Sequence, residues 1–281
     1  MRNLFLYITL LAVCLVQFRG IEAQTDSSGE TNKTQFKFGL YYNSYLNYYG
    51  RTDSLGSSGF FPLAELWLAK GFYIQAAPVF ISNALSRFEY AGTVATAGYR
   101  YSREEKFAAS VYFVKPFYKD NSQLPQSALK GQLNASYTWM NKLINLTAGG
   151  DIKFSDQLDY GLTAGLDHLF RLEPGQGLVL VLDPTLNLYA GTQRFSKTYF
   201  KQNNILFLPG TPQQETENIN RLALLAYEFS MPIVLGKGKF QLIANPSYII
   251  PQNLVAVANR SDLSERGKQT FYITAGVKIS F

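Results

Sequence analysis

The side chains that most often carry out chemistry are scarce in this sequence, which contains one histidine, His168, and one cysteine, Cys14. A histidine can activate a serine nucleophile in a hydrolase, but no recognisable nucleophile motif accompanies His168. It shares its alternation parity with Tyr160, Leu162 and Phe170, and an amphipathic ring among such residues is better explained as an anchor at a lipid interface. The sequence therefore predicts that the protein is not an enzyme; a lipid or peptide hydrolase is the third of three functional hypotheses.

Metal and cofactor sites have few candidate ligands. The single histidine and single cysteine leave few options for a zinc site. Asp151, Asp156 and Asp159 could meet across a hairpin and hold calcium, but they lack the glycine-spaced oxygen ligands of a calcium-binding loop. The Gly-Gln-Gly stretch at 175–177 falls in a turn with no helix behind it to bind phosphate. We predict no metal site and no cofactor.

The N-terminus, MRNLFLYITLLAVCLVQFRGIEAQ, has the three parts of a secretory signal peptide. Arg2 supplies the positive charge, residues 4–18 the apolar region, and Ala23 the small residue before the cleavage point. The following QTDSSGETNKTQ is polar. The sequence thus predicts a signal peptide at 1–23 and a polar linker at 24–33.

Cys14 raises one alternative, because LAVC loosely resembles the motif for cysteine lipidation. Val13 suits that modification poorly, and the apolar region continues beyond Cys14. Cleavage of the signal peptide would remove this cysteine, so we expect no internal disulfide in the mature chain. The formal charge of +6 is modest and spread along the sequence, so a nucleic-acid partner is not predicted.

Strand-like alternation dominates the remaining residues, 34–281. In LKGQLNASYTWMN, apolar and polar side chains alternate from Leu129 to Trp139, and the next segment repeats the pattern from Ile144 to Phe154. Since only a few residues separate the two segments, they predict a hairpin. The terminal QTFYITAGVKISF has the same two-residue period. No segment has useful helical periodicity or the long apolar run of a membrane helix.

Such segments recur along the chain and predict about twelve strands in one domain. We place them near 34–48, 60–70, 71–83, 93–103, 106–118, 128–140, 143–155, 158–171, 177–190, 221–235, 239–251 and 269–281. Tight turns such as AKGF and GKGK alternate with long loops. This rhythm predicts an all-β fold, a closed antiparallel transmembrane β-barrel. The connection near Asp156 is short where a long loop is expected, so the strand count could differ by one hairpin.

In its signal peptide, strand rhythm and terminal Phe281, the sequence resembles the bacterial single-chain outer-membrane β-barrel proteins, over essentially all of residues 34–281. The resemblance implies export to the outer membrane of a Gram-negative bacterium and contact with outer-membrane lipid. It also implies that Phe281 is part of the signal offered to the barrel-assembly machinery. The resemblance indicates an architecture and a location but no particular activity.

Aromatic residues fit the orientation of such a barrel. Trp139 and Trp67 lie near tight turns and are predicted to join the periplasmic girdle, whereas Tyr42 and Tyr48, near the first long loop, would join the outer girdle. A second set is predicted to face the interior, where it could line a sugar-binding pore mouth or simply pack. Its members are Tyr41, Asn43, Tyr45, Asn47 and Tyr49.

Four prolines fall within the predicted strands. Pro78, Pro184, Pro232 and Pro246 each lack the N–H that a strand would donate to its neighbour. A closed barrel has no free edge where such residues could be placed. We therefore expect bulges or early strand ends at these positions.

Charged residues of both signs fall on the inward parity, and they are the candidate pore-lining set. The set comprises Lys37, Glu65, Arg100, Lys130, Asp151, Lys153, Asp167, Asp183, Glu228 and Lys278; Asp159 has the same parity. They could line a water-filled passage or pair into a network that closes it, and a barrel of twelve strands permits both. The first functional hypothesis is a small channel or solute-selective pore. The second is a membrane anchor, a binding surface or a subunit of an envelope complex.

The longest connection, residues 191–220, is predicted to lie outside the cell. Long loops without secondary structure are often functional. Its central ILFLPG stretch would expose four adjacent apolar side chains, Ile205, Leu206, Phe207 and Leu208. We expect them to be buried in the barrel mouth, against a protein partner in the envelope, or under neighbouring loops.

Overall fold

The computed structural model describes residues 33–51, 56–103, 106–118, 129–155, 157–194, 221–254 and 267–281. The predicted signal peptide, Cys14, Asp156 and the ILFLPG stretch lie outside the described residues. Nearly all described residues belong to antiparallel strands or to the connections between them. Within the described ranges, no helix has the length and apolar character needed to cross a bilayer.

The described ranges contain fifteen strand segments. They are β1 (Gln35–Asn43), β2 (Ser58–Trp67), β3 (Phe72–Ser82), β4 (Glu89–Arg103), β5 (Phe107–Tyr118), β6 (Gly131–Trp139), β7 (Asn145–Phe154), β8 (Leu158–Asp167), β9 (Phe170–Gly175), β10 (Leu178–Leu182), β11 (Thr185–Gly191), β12 (Ala223–Ser230), β13 (Ile233–Lys237), β14 (Phe240–Pro251) and β15 (Thr270–Ser280). Their bounds differ by a few residues from those predicted.

The segments close into a ring. β1 pairs with β2 on one side and with β15 on the other, and β14 joins β15 to both β13 and β12. Three strands of the barrel wall are interrupted, and each of them appears as two segments: β8 with β9, β10 with β11, and β12 with β13. We call each complete strand of the wall, whether interrupted or not, a stave. The barrel has twelve staves. The prediction of an all-β, closed antiparallel barrel of about twelve strands is confirmed. The short connection at 155–157 joins two separate strands, β7 and β8, so it does not lower the strand count.

Two of the prolines lie where staves are interrupted. Pro184 separates β10 from β11, and Pro232 separates β12 from β13, as expected for residues without an N–H. Pro246 remains inside β14, where its carbonyl accepts a bond from the amide of Met231. Pro78 also stays within its strand, just before a register shift at Val79. Early strand ends are thus confirmed for two of the four prolines.

The two faces of the wall differ in character. Along β1, Phe36, Phe38, Leu40 and Tyr42 are exposed on the outside, whereas the alternate positions are buried inside. An apolar outer face suits the hydrocarbon of a bilayer. A closed ring also suits it, because every strand amide has a neighbour with which to pair. Phe281 also faces outward, and its amide donates a hydrogen bond to the carbonyl of Phe36 at 2.8 Å.

Two aromatic predictions are wrong. Trp67 has the parity of Glu65 and points into the barrel, where its indole N–H donates to the Glu65 carboxylate at 2.9 Å. Tyr48 is buried because β1 ends at Asn43 instead of continuing to residue 48, and the chain then folds inward. By contrast, Trp139 is exposed on the outer face, as predicted.

Candidate functional site

The connection between β1 and β2 folds into the barrel at the end where the long loops lie. Asn43 starts this turn, since its side-chain oxygen accepts a bond from the Tyr45 amide at 2.9 Å. Residues 46–51 are then all buried, with Leu46 fully enclosed. At the far end of the turn, Gly50 has a φ of +73°, which suits glycine better than other residues. We call residues 46–51 the plug segment, because they occupy the mouth of the barrel.

Arg51 fastens the plug segment to the neighbouring loops. Its side chain is about 97% buried, and its guanidinium donates to four main-chain carbonyls. They are the carbonyls of Tyr49, Leu225 and Gln252, at 3.1–3.2 Å, and that of Asn253 at 3.4 Å. A further bond reaches the side-chain oxygen of Gln193 at 3.3 Å. One cation therefore ties the first external loop to the bases of two others.

Below the plug segment lies a layer of tyrosines and charges. Tyr49 packs against Tyr189, with ring centroids 5.0 Å apart, and the Lys153 ammonium lies 5.8 Å from the Tyr49 ring. Lys153 also pairs with Asp151 at 2.5 Å. Burial raises the pKa of the Tyr48 and Tyr49 hydroxyls, so both stay neutral at physiological pH.

Two buried glutamates have several hydrogen-bond donors each. Glu228 accepts bonds from the hydroxyls of Tyr189 and Tyr272 at 3.0 and 2.6 Å. Glu65, nearer the short turns, accepts from Trp67 as described and from Gln75 at 3.0 Å. The Lys278 ammonium lies 3.5 Å from the second Glu65 oxygen. Buried charges normally need such partners, so this part of the interior is a paired polar core.

A cavity of about 270 Å³ remains inside the barrel below the plug segment. Most of its lining residues have polar groups in their side chains, which include amides, hydroxyls and charges of both signs, and several aromatic rings also line it. Typical members are Tyr73, Tyr112, Arg100, Gln132, Asn134, Asn187 and Asn245. The volume lies just below the range of roughly 300–1,000 Å³ that is usual for ligand pockets. The cavity can therefore hold a small molecule.

The structure divides the ten candidate pore-lining residues into three groups. Five of them line the cavity, namely Arg100, Asp151, Asp167, Asp183 and Lys278. Four are buried in the paired core beside it, namely Lys37, Glu65, Lys153 and Glu228. Lys130 is exposed, because it precedes the first residue of β6. It does not line the cavity, so its pore-lining role stays a prediction.

Several other predicted residues also have defined positions. The interior set Tyr41, Asn43, Asn47 and Tyr49 is buried, and Tyr45 packs against it, which agrees with interior packing.

His168 is partly buried, with its ring edge-on to the exposed Phe170 at 4.4 Å. Asp159 accepts bonds from the Thr192 hydroxyl and the Arg194 amide, both at 2.7 Å. In the part of the chain that the structure describes, no three His, Cys, Asp or Glu side chains are grouped as metal ligands.

Arg51 and Asn245 are the important residues that sequence reasoning missed. Arg51 follows the run of tyrosines around residues 41–49, whose apparent alternation hid the end of β1 at Asn43. Asn245 precedes Pro246 inside a strand, and its inward parity could have identified it. The loop residues Ile205, Leu206, Phe207 and Leu208 lie outside the described residues, so their burial stays a prediction.

Comparisons with known proteins give structural likenesses only. No known protein family matches the sequence, and no curated protein matches it. The fold is similar to the KdgM porin, with 12% identity over 88% of this chain and 99% of that chain and a TM-score of 0.45. It is also similar to the COG4313 outer membrane channel from Pseudomonas putida F1, with 13% identity over 90% and 98% and a TM-score of 0.45. The NanC porin gives 8% identity over 88% and 99%, with a TM-score of 0.42. At these values the likenesses carry no argument about function.

Proposed function

We propose that this protein is an outer-membrane channel for small solutes, in which the plug segment limits passage. The observation that carries the proposal is the polar cavity of about 270 Å³ enclosed by the barrel wall. The exposed apolar outer face matches a bilayer, and the inward polar face matches water or a polar solute. Such a barrel places hydrogen-bonding and charged groups along the route that a solute would take.

The plug segment sets the expected behaviour of this channel. It fills the mouth of the barrel, and Arg51 holds it by hydrogen bonds to carbonyls of the chain around it. Because these bonds are charge-assisted and buried, they favour the closed position. We therefore expect brief or small currents from the native protein and larger ones when the plug segment is released.

Planar-bilayer recordings of the purified, refolded protein test the proposal. The native chain is compared with Arg51→Ala, and with Arg171→Ala as a control that removes an exposed arginine from β9. Ion currents in the native chain that increase several-fold in Arg51→Ala alone support a plugged channel. Lack of current in both the native chain and Arg51→Ala, while insertion is intact, contradicts it.

A second candidate function is a non-conducting barrel that serves as a membrane anchor, a binding surface or a subunit of an envelope complex. The observation in its favour is the buried, charge-paired interior above and beside the cavity. Deleting residues 200–215 is the test, since these residues belong to the longest predicted external loop. A barrel that inserts normally but loses a co-purifying envelope protein favours this second function; a changed conductance favours the channel.

A further inference from the structure

Three neighbouring staves, two of them interrupted, bring an unusual set of side chains together at the wall of the cavity. Leu182 of β10 is paired with Ile233 of β13, which is paired with Ala244 of β14. The next positions across these staves are therefore Asp183, Pro232 and Asn245. The Asp183 amide donates to the Pro232 carbonyl at 2.9 Å, which fixes this alignment.

The two polar members of this row present oxygen atoms without donors. Asp183 and Asn245 are only 4% and 5% exposed, and both line the cavity. Among the described residues, neither the Asp183 Oδ1 atom nor the Asn245 Oδ1 atom has a hydrogen-bond partner. A buried acceptor left in this state is destabilising. Pro232, which lies between them, has no N–H and no polar side chain to offer.

A second carboxylate lies on the adjoining stave. Asp167 is paired across the sheet with Thr185, two residues after Asp183, and it also lines the cavity. One Asp167 oxygen accepts a bond from the Asn145 side chain at 2.7 Å. This sector of the cavity wall thus has two carboxyl groups and one amide oxygen, spread over four consecutive staves.

The basic residues of the cavity leave this sector acidic. Arg100 belongs to β4, which is six staves from the stave of Pro232 in the ring of twelve and thus on the opposite wall. Lys278 is paired with Glu65. Neither cation therefore neutralises the Asp167–Asp183 pair, whose carboxyl groups also interact with each other.

We propose that Asp167, Asp183 and Asn245 bind the primary ammonium group of a small organic solute in the cavity. A primary ammonium has three N–H donors, which matches three oxygen-bearing side chains. A bare cation would also be attracted, but a volume of about 270 Å³ far exceeds the roughly 10–15 Å³ that one water-sized particle needs. The remaining amides and hydroxyls of the cavity can bind the polar body of the solute. This inference rests on the proposed function, because it names the class of solute that the channel would bind.

Equilibrium calorimetry on the detergent-solubilised full chain tests the site without requiring conduction. Glucosamine and glucose are suitable probes, because they differ only in an ammonium or a hydroxyl at one ring carbon. We expect the native protein to bind glucosamine at least tenfold more tightly than glucose. Asp183→Asn, which keeps the shape of the side chain and removes its charge, should abolish most of this preference. Glu173→Gln, which removes an exposed carboxylate outside the cavity, should leave it unchanged.

Asn245→Asp keeps the proposal testable if Asp183→Asn does not fold. It adds a carboxylate at an existing oxygen position and should strengthen glucosamine binding severalfold. Equal binding of glucosamine and glucose by the native protein overturns the proposal, as does an unchanged preference in Asp183→Asn. Binding of potassium or calcium ions that is lost in Asp183→Asn, without glucosamine binding, assigns the site to a bare cation and also overturns it. Loss of conductance with intact glucosamine binding would contradict the channel but not this site.

Discussion

The guanidinium of Arg51 donates a hydrogen bond to the main-chain carbonyl of Leu225, 174 residues further along the chain, at 3.2 Å. Leu225 lies in β12, just after the longest predicted external loop. The contact therefore couples the plug segment to a stave that is three positions from β1 around the barrel mouth. Hydrogen bonds to a charged donor stabilise by roughly 1.5–3 kcal/mol each, so this residue is expected to dominate the position of the plug segment.

Replacing Arg51 by alanine is predicted to release the plug segment and leave the ring of strands intact. Several buried carbonyls lose their donor, so we expect a loss of about 2–4 kcal/mol in the free energy of unfolding. Urea unfolding in detergent measures this loss, and protease sensitivity near residues 46–51 reports on release. Arg51→Lys should recover part of the stability. Unchanged stability and protection in Arg51→Ala would show that the tyrosines alone hold the plug segment.

The Glu65–Lys278 pair gives a prediction about the paired core. Lys278→Met removes the cation 3.5 Å from the Glu65 carboxylate and leaves a buried negative charge with less compensation. We expect a destabilisation of roughly 3–5 kcal/mol, as is usual when one partner of a buried pair is removed. The double variant Glu65→Gln, Lys278→Met should be less destabilised than the single one. Additive losses in a double-mutant cycle would mean that the two residues do not interact.

The two residues that join the first and last strands make a third prediction. Gly276 is the register partner of Tyr41, and a Cβ on Gly276 would overlap the Tyr41 ring. Gly276→Ala should therefore destabilise the seam by about 1–3 kcal/mol through overpacking. Gly236→Ala is the matched control, since a Cβ there meets no atom closer than 3.9 Å. Equal unfolding midpoints for the two variants would show that the ring of Tyr41 moves aside freely.

The period of the sequence was sufficient to predict the wall but not the contents of the barrel. Alternation from Leu129 to Phe154 identifies a hairpin because a strand places successive side chains on opposite faces. It cannot show that β1 ends at Asn43, because the alternating residue pattern of the strand continues into the turn that follows it. Nor can it show that Asp183 and Asn245 meet at one wall of a cavity. That relationship depends on the register across three staves, and register is a tertiary property.

His168 supplies a prediction that separates an interfacial anchor from a catalytic base. Its ring lies edge-on to the exposed Phe170, so His168→Phe should keep the packing of an aromatic side chain at this position. We expect a change in unfolding free energy of about 1 kcal/mol or less and unchanged conductance. Phospholipid hydrolysis by the native protein that disappears in His168→Phe would establish an enzymatic function instead.

Deletion of Phe281 addresses assembly, and it follows from the position of this residue beside the first strand. The Phe281 amide donates to the Phe36 carbonyl at 2.8 Å, and the two rings lie 6.1 Å apart on the outer face. The deletion removes both contacts where β15 meets β1, and with them the aromatic group that the assembly machinery is expected to bind. We predict a several-fold lower yield of folded barrel in membranes, measured as heat-modifiable electrophoretic migration.

Phe271→Ala, which removes an exposed aromatic from the other end of β15, is the control and should assemble nearly normally. If refolding into detergent is also impaired by the deletion, the lost contacts explain the defect; if only assembly in cells is impaired, Phe281 acts as the assembly signal. Normal assembly of the deletion variant in cells would remove Phe281 from both roles.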